Sequence, residues 1–98
     1  MNKKYTSSNM MEQMVDYKIP ELMKQSNMCT YERCCADVRA LALNHLPPKY
    51  VVTRVGKAMT QFELLGIQTQ ANITTAIMFA IEKVSRNPRH DEETLGSA

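Results

Sequence analysis

Tryptophan is absent from this chain; phenylalanine occurs only twice, and glycine and cysteine three times each. Glycine this scarce leaves no Gly-rich loop to cradle a nucleotide phosphate, and no G-x-S-x-G elbow or H-E-x-x-H helix is present. The expectation is a protein that is not an enzyme. An odd number of cysteines makes a poor disulfide framework and fits a reducing compartment. No run of about 18 apolar residues exists, so no helix is expected to span a membrane. The opening MNKKYTSSN carries lysines with no apolar segment behind them, which makes the cytoplasm the default location. An excess of one charge is missing too, since twelve Lys and Arg face ten Asp and Glu. A general nucleic-acid binder carries a dense basic stripe. Direct nucleic-acid binding is therefore not expected, whereas a local pocket for one small anion is compatible with this balance.

What is present fits one small helical domain. A chain of 98 residues buries only about 65% of its unfolded surface, and pairing with a second copy is a common way to add buried area. Eight methionines point to a soft, adaptable core. Residues 1–8 read as a flexible polar arm, 9–90 as the domain and 91–98 as a flexible tail. Asn9 has the chemistry of an N-cap, with Glu12 three residues on to answer it. Met11, Met14, Val15, Ile19 and Leu22 then recur at helical spacing through Pro20, which predicts one kinked helix. A second helix is predicted from about Tyr31 to Asn44 or His45, with Cys34, Val38, Leu41 and Ala42 inward. Leu46-Pro47-Pro48 stops it. A third, less regular helix runs from Lys57 to about Gly66 with Met59, Phe62 and Leu65 as its apolar side. In the last helix Ile73, Ala76, Ile77, Ala80, Ile81 and Val84 make a clean buried stripe, ending before Pro88.

Between the second and third helices, Tyr50-Val51-Val52-Thr53 has strand chemistry. A lone strand cannot satisfy its own backbone, and no second strand-like run is evident. The expectation is an all-α homodimer of about four helices per chain, with this one short strand paired between subunits about a two-fold axis.

Two clusters could carry chemistry. Cys29, Cys34 and Cys35 lie within seven residues, and thiolates hold zinc, although a structural site takes four ligands. Cys35 points about 100° from Cys34 on a helix, and His45 lies some 15 Å further along it, so His45 cannot close such a site within one chain. The alternative is a core Cys34 beside two thiols. The second cluster is cationic and polar: Lys49, Arg54 and Lys57 surround the short strand, Tyr50 adds an aromatic face and Thr53 a hydroxyl. Arg39 lies on the preceding helix. Asn72, Thr74 and Thr75 fall at the expected start of the last helix, where backbone N–H groups attract anions. Arginine binds phosphate bidentately and stacks on bases. The same groups also read as a helix cap and a solvated rim.

The stretch CADVRALALNHLPPKYVVT, Cys35 to Thr53, closely resembles the signature of the late competence protein ComFB family. The family's Asp-Val helix, Ala-Leu-Asn and Leu-Pro-Pro-x-Tyr-Val-Val are matched by Asp37, Val38, Ala42, Leu43, Asn44, Leu46, Pro47, Pro48, Tyr50, Val51 and Val52. Asn9 and Glu12 match its opening helix and Asn87–His90 its usual end, so the resemblance covers roughly residues 9–90. It implies a helical homodimer with a short intermolecular strand. It implies, for some members, a zinc held in a Cys-x-Cys-x-x-Cys turn, whose outer positions are Cys29 and Cys34 here. Tyr31 stands at the middle position, and Cys35 is the available substitute. The resemblance further implies a receptor for a cyclic dinucleotide, cyclic di-GMP or in some members cyclic di-AMP, that signals to a downstream protein. The residues whose chemistry suits that ligand are Lys49 and Arg54 for phosphate and Tyr50 or Arg39 for stacking. Thr53, Asn72, Thr74 and Thr75 suit its polar contacts.

Overall fold

The computed structural model describes residues 5–26 and 32–86. The expected tail at 91–98, the Asn87–His90 match, residues 1–4 of the N-terminal arm, Tyr31 and Cys29 lie outside them. Four helices form, as the periodicity requires: α1 (Met10–Gln25), α2 (Glu32–Asn44), α3 (Arg54–Leu64) and α4 (Ile67–Arg86). Two short strands, β1 (Ser8–Asn9) and β2 (Tyr50–Val51), complete the described chain.

α4 is the centre of the packing, with α2 and α1 against it. Its inward stripe is the one the spacing predicts, Ile73, Ala76, Ile77, Ala80, Ile81 and Val84, all buried. From α2 come Cys34, Val38 and Ala42, and from α1 Met10, Met11, Val15, Ile19 and Met23. Each large aliphatic side chain buried in this way contributes about 1.5–3 kcal/mol. α1 continues as one helix through Pro20, because buried positions on both sides of the proline share one phase and the contacts they make offset the backbone hydrogen bond it removes.

The strand differs from expectation. β2 has a partner in its own chain: it pairs antiparallel with β1, Ser8 opposite Val51 and Asn9 opposite Tyr50. The premise that this strand lacks an intrachain partner therefore fails, and Ser8 belongs to the folded domain rather than to the arm. Asn9 is the reason. Its Oδ1 accepts from the Met11 N–H at 3.1 Å, capping α1, and from the Lys49 N–H at 2.7 Å. The Met10 N–H donates to the Lys49 carbonyl at 2.7 Å. One amide oxygen with two lone pairs thus joins the start of α1 to the Leu-Pro-Pro segment.

α3 also differs. It begins at Arg54, three residues before the expected start, because Thr53 is its N-cap: Thr53 Oγ1 accepts from the Gly56 N–H at 3.0 Å. Met59 and Phe62, which belong to its apolar side, are 68% and 82% exposed, and the buried residue of α3 is Leu64. α4 follows at once, turned by 78°.

Candidate functional site

α2 ends at Asn44, and the chain then turns through His45 and Leu46 into Pro47-Pro48, which cannot continue a helix. His45 is fixed by its ring: Nδ1 donates to the Leu41 carbonyl at 2.9 Å, and the imidazole lies 4.9 Å from the Phe79 ring, tilted by 56°. Lys83 places its ammonium 5.5 Å over the centre of the same phenyl ring. His45, Leu46 and Pro47 on one side, and Asn72, Thr75, Ala76 and Phe79 of α4 on the other, enclose a cleft of about 440 Å³. That size lies in the range of small-molecule sites, about 300–1,000 Å³. Its walls are an aromatic pair and a proline, with one amide and one hydroxyl between them. The Asn72 side chain is oriented by Gln68, whose Nε2 donates to Asn72 Oδ1 at 2.9 Å.

Lys49 and Tyr50 leave the rim of this cleft. Lys49 follows Pro47 by two positions, a reach of at most about 7 Å. Tyr50 is 66% exposed, and the Lys49 ammonium meets Glu63 at 3.4 Å in an exposed, long ion pair. An exposed pair of this kind is worth ~1 kcal/mol or less, so the ammonium can readily be drawn to a doubly charged ligand. Arg54 stands exposed at the first position of α3. The Thr53 hydroxyl oxygen accepts in the α3 cap, which leaves its O–H to donate elsewhere.

Four of the sequence-selected residues stand elsewhere or differently. Asn72, Thr74 and Thr75 are inside α4, which starts at Ile67, so no helix N-terminus offers them an anion site. Asn72 and Thr75 reach the cleft by helical spacing instead. Thr74 is turned toward α1, where the Lys18 ammonium donates to its Oγ1 at 3.3 Å. Arg39 faces α1: its Nε donates to Asp16 at 2.6 Å and its Nη2 to Glu12 at 2.8 Å. These bonds, to Asp16 first and Glu12 second, hold the Arg39 proton more tightly than in an ordinary guanidinium. A phosphate would have to displace two carboxylates to reach it.

A roomier groove, about 620 Å³, runs between α1 and α2 beside Arg39, lined by Ile19, Pro20, Met23, Cys35 and Ala36 with Asp16 and Glu32 at its edge. It suits a phosphodiester poorly, because its floor is apolar and its two cations, Lys24 and Arg39, are matched by the carboxylates Asp16 and Glu32. Among the described residues no three His, Cys, Asp or Glu side chains come together to hold a metal. Cys34 is a core residue, 1% exposed among Met23 and Val38, and Cys35 is half-buried. A zinc set would need Cys29, outside the described residues. No single described helix is long and apolar enough to cross a membrane.

His45 and Phe79 are cleft residues that the sequence selection passed over as ligand contacts. Phe79 is signalled by its place one turn after Thr75, and His45 by its position at the proline stop.

The sequence model of the family described as late competence development protein ComFB matches residues 8–88. A solved structure, described as a structural characterization of the late competence protein ComFB from Bacillus subtilis, is similar with a TM-score of 0.72 at 29% identity. The match covers 87% of this chain and 97% of that one. No curated protein matches this chain.

Proposed function

The chain belongs to the late competence development protein ComFB family, and on that premise we propose that it is a small cytoplasmic signalling dimer. In this reading it binds a cyclic dinucleotide, cyclic di-GMP or cyclic di-AMP, and relays it to a partner protein. The observation that supports the reading is the course of the Leu-Pro-Pro segment. It forms one wall of the cleft with Asn72, Thr75 and Phe79, and within two residues it becomes the cationic and aromatic pair Lys49 and Tyr50. A nucleotide needs both surfaces: a stacking wall with a few polar groups for the base, and cations for the phosphates. Asn72 and Thr75 serve the base, His45 and Phe79 the stacking wall, and Lys49 and Arg54 the phosphates. Tyr50 is placed to stack from the rim, and Arg39 is left to its structural ion pairs. A two-fold symmetric ligand suits a two-fold dimer, which meets each half with the same residues.

Thermal melts with cyclic di-GMP, cyclic di-AMP and GTP as control test this. A receptor gains about 2.7 kcal/mol at a hundredfold excess over Kd, so a selective rise with a cyclic dinucleotide is the expected result. No rise with any of the three, beside a fall in stability on chelation, would replace this reading with a zinc-stabilised structural or adaptor dimer.

A further inference from the structure

Further along the α2–α4 seam, toward the C-terminal end of α4, lies a second cavity of about 520 Å³ that shares no wall residue with the cleft. Its α2 wall carries Asp37, Leu41 and Asn44, spaced i, i+4, i+7 and therefore on one helix face. Its α4 wall carries Lys83, Val84 and Arg86. A carboxylate and an amide thus stand on one side and an ammonium and a guanidinium on the other, over an apolar floor of Leu41 and Val84. The buried Val38 and Ala42 of α2 and Ala80 of α4 hold the two helices together, so both walls are set before a ligand arrives.

Among the described residues no ion pair crosses this cavity. Asp37 meets Arg33 of its own helix at 3.6 Å, and Arg86 meets Glu82 of its own helix at 2.5 Å. The Lys83 ammonium rests over Phe79. The Asp37 contact is longer than a hydrogen bond, and Asp37 Oδ2 is shut off from solvent with no donor among the described residues. A carboxylate so placed is costly to leave unanswered. A last-turn position favours Lys83 and Arg86 in any helix, but it accounts neither for the cavity nor for the carboxylate across it. A simple anion entering here meets Asp37, and a simple cation meets Lys83 and Arg86. A molecule that carries both signs is drawn to both walls.

We propose that this cavity binds a small zwitterion of the α-amino acid class. Its ammonium lies on Asp37, its carboxylate on Lys83 and Arg86, and an apolar side chain on Leu41 and Val84. Arg86 is released at little cost from its exposed pair with Glu82. Asn44 offers both a donor and an acceptor to the polar end of the ligand. The site stands apart from the nucleotide reading and is tested without nucleotide, so either can fail alone.

The test is calorimetric titration of the full, nucleotide-free chain with the common α-amino acids at millimolar concentration. The tightest ligand is then compared with its two half-molecules, the amine that lacks the carboxylate and the carboxylate that lacks the amine. The expected result is saturable binding of amino acids with apolar side chains, at one ligand per chain. Either half-molecule, Asp37→Asn and Lys83→Gln should each weaken it about tenfold or more, since each removes a hydrogen bond between charged groups. Lys57→Gln, which removes a cation outside the cavity, should leave the affinity unchanged. Amide chemical shifts of the wild-type chain give a second readout that needs no variant to fold, and the shifts that move should cluster at 37–44 and 83–86. The proposal is overturned by the absence of saturable binding with any amino acid, or by undiminished binding of either half-molecule, which assigns the cavity to a plain anion or cation. It is equally overturned by an affinity unmoved by Asp37→Asn or by Lys83→Gln, or by shifts centred on His45 and Asn72.

Discussion

Asn9 illustrates how one side chain sets the position of a functional segment. It caps α1 and holds the Lys49 N–H, so replacing it removes two hydrogen bonds at once. Asn9→Ala is expected to cost roughly 1–3 kcal/mol in chemical denaturation, and Asn9→Asp, which keeps the acceptor, only a fraction of that. Equal losses in the two variants would show that the amide oxygen is not what matters. Arg39 makes the opposite case. Its pairs with Asp16 and Glu12 are half-exposed, so Arg39→Ala should cost less than ~1 kcal/mol, and the cost should shrink in concentrated salt. The sign of its pH dependence follows from its raised pKa. The contribution of the guanidinium is present below the unfolded-state pKa and lost only as pH rises through the folded one, above the ordinary arginine value. The Arg39 effect should therefore be flat from pH 6 to pH 9, as paired melts of wild type and Arg39→Ala would show. At this scale the sequence was informative about residue chemistry and poor about direction. Lys49, Tyr50, Asn72 and Thr75 do gather about the proline segment, whereas Arg39 and Thr74, of equally suitable chemistry, are turned toward α1 by helical phase.

Among the elements, the inward face of α4 was legible because its buried stripe runs for three turns and no other phase fits it, whereas its start at Ile67, ahead of the stripe, was not. The α1 stripe survived Pro20 for the same reason. β1 could not be read: Ser8 and Asn9 have no strand chemistry, and their pairing depends on an asparagine oxygen reaching forty residues along the chain. α3 was legible as a helix but not in its orientation. Periodicity finds an apolar face without saying whether it turns to the chain's own core or to another molecule. Leu64 and Phe62 separate the two. Leu64→Ala should cost about 2–5 kcal/mol, as cavity formation in a core does, and should do so at any protein concentration. Phe62→Ala should cost stability only where the wild-type protein is associated. Denaturation of both variants at high and low concentration checks this, and a concentration-independent loss for Phe62→Ala would place that ring in the folded single chain instead.

For the whole molecule, the fold, the family and the cleft form one chain of consequence. The core of α1, α2 and α4 fixes the end of α2, the proline stop forms one wall of the cleft and leads directly into Lys49 and Tyr50, and α3 leaves an apolar face outward. The general architecture was legible from periodicity and the proline signature; the cleft was not, because His45 is far in sequence from Asn72 and Phe79 and meets them only through packing. Cyclic dinucleotide binding is the central claim, and calorimetric titration of cyclic di-GMP and cyclic di-AMP into the full chain tests it most directly. The account predicts saturable binding of one, at one ligand per two chains. Arg54→Ala should weaken it about tenfold or more, since a hydrogen bond to a charged group is worth about 1.5–3 kcal/mol. No saturable heat with either ligand, or binding that Arg54→Ala changes by less than about twofold and Asn72→Ala leaves untouched, would contradict it.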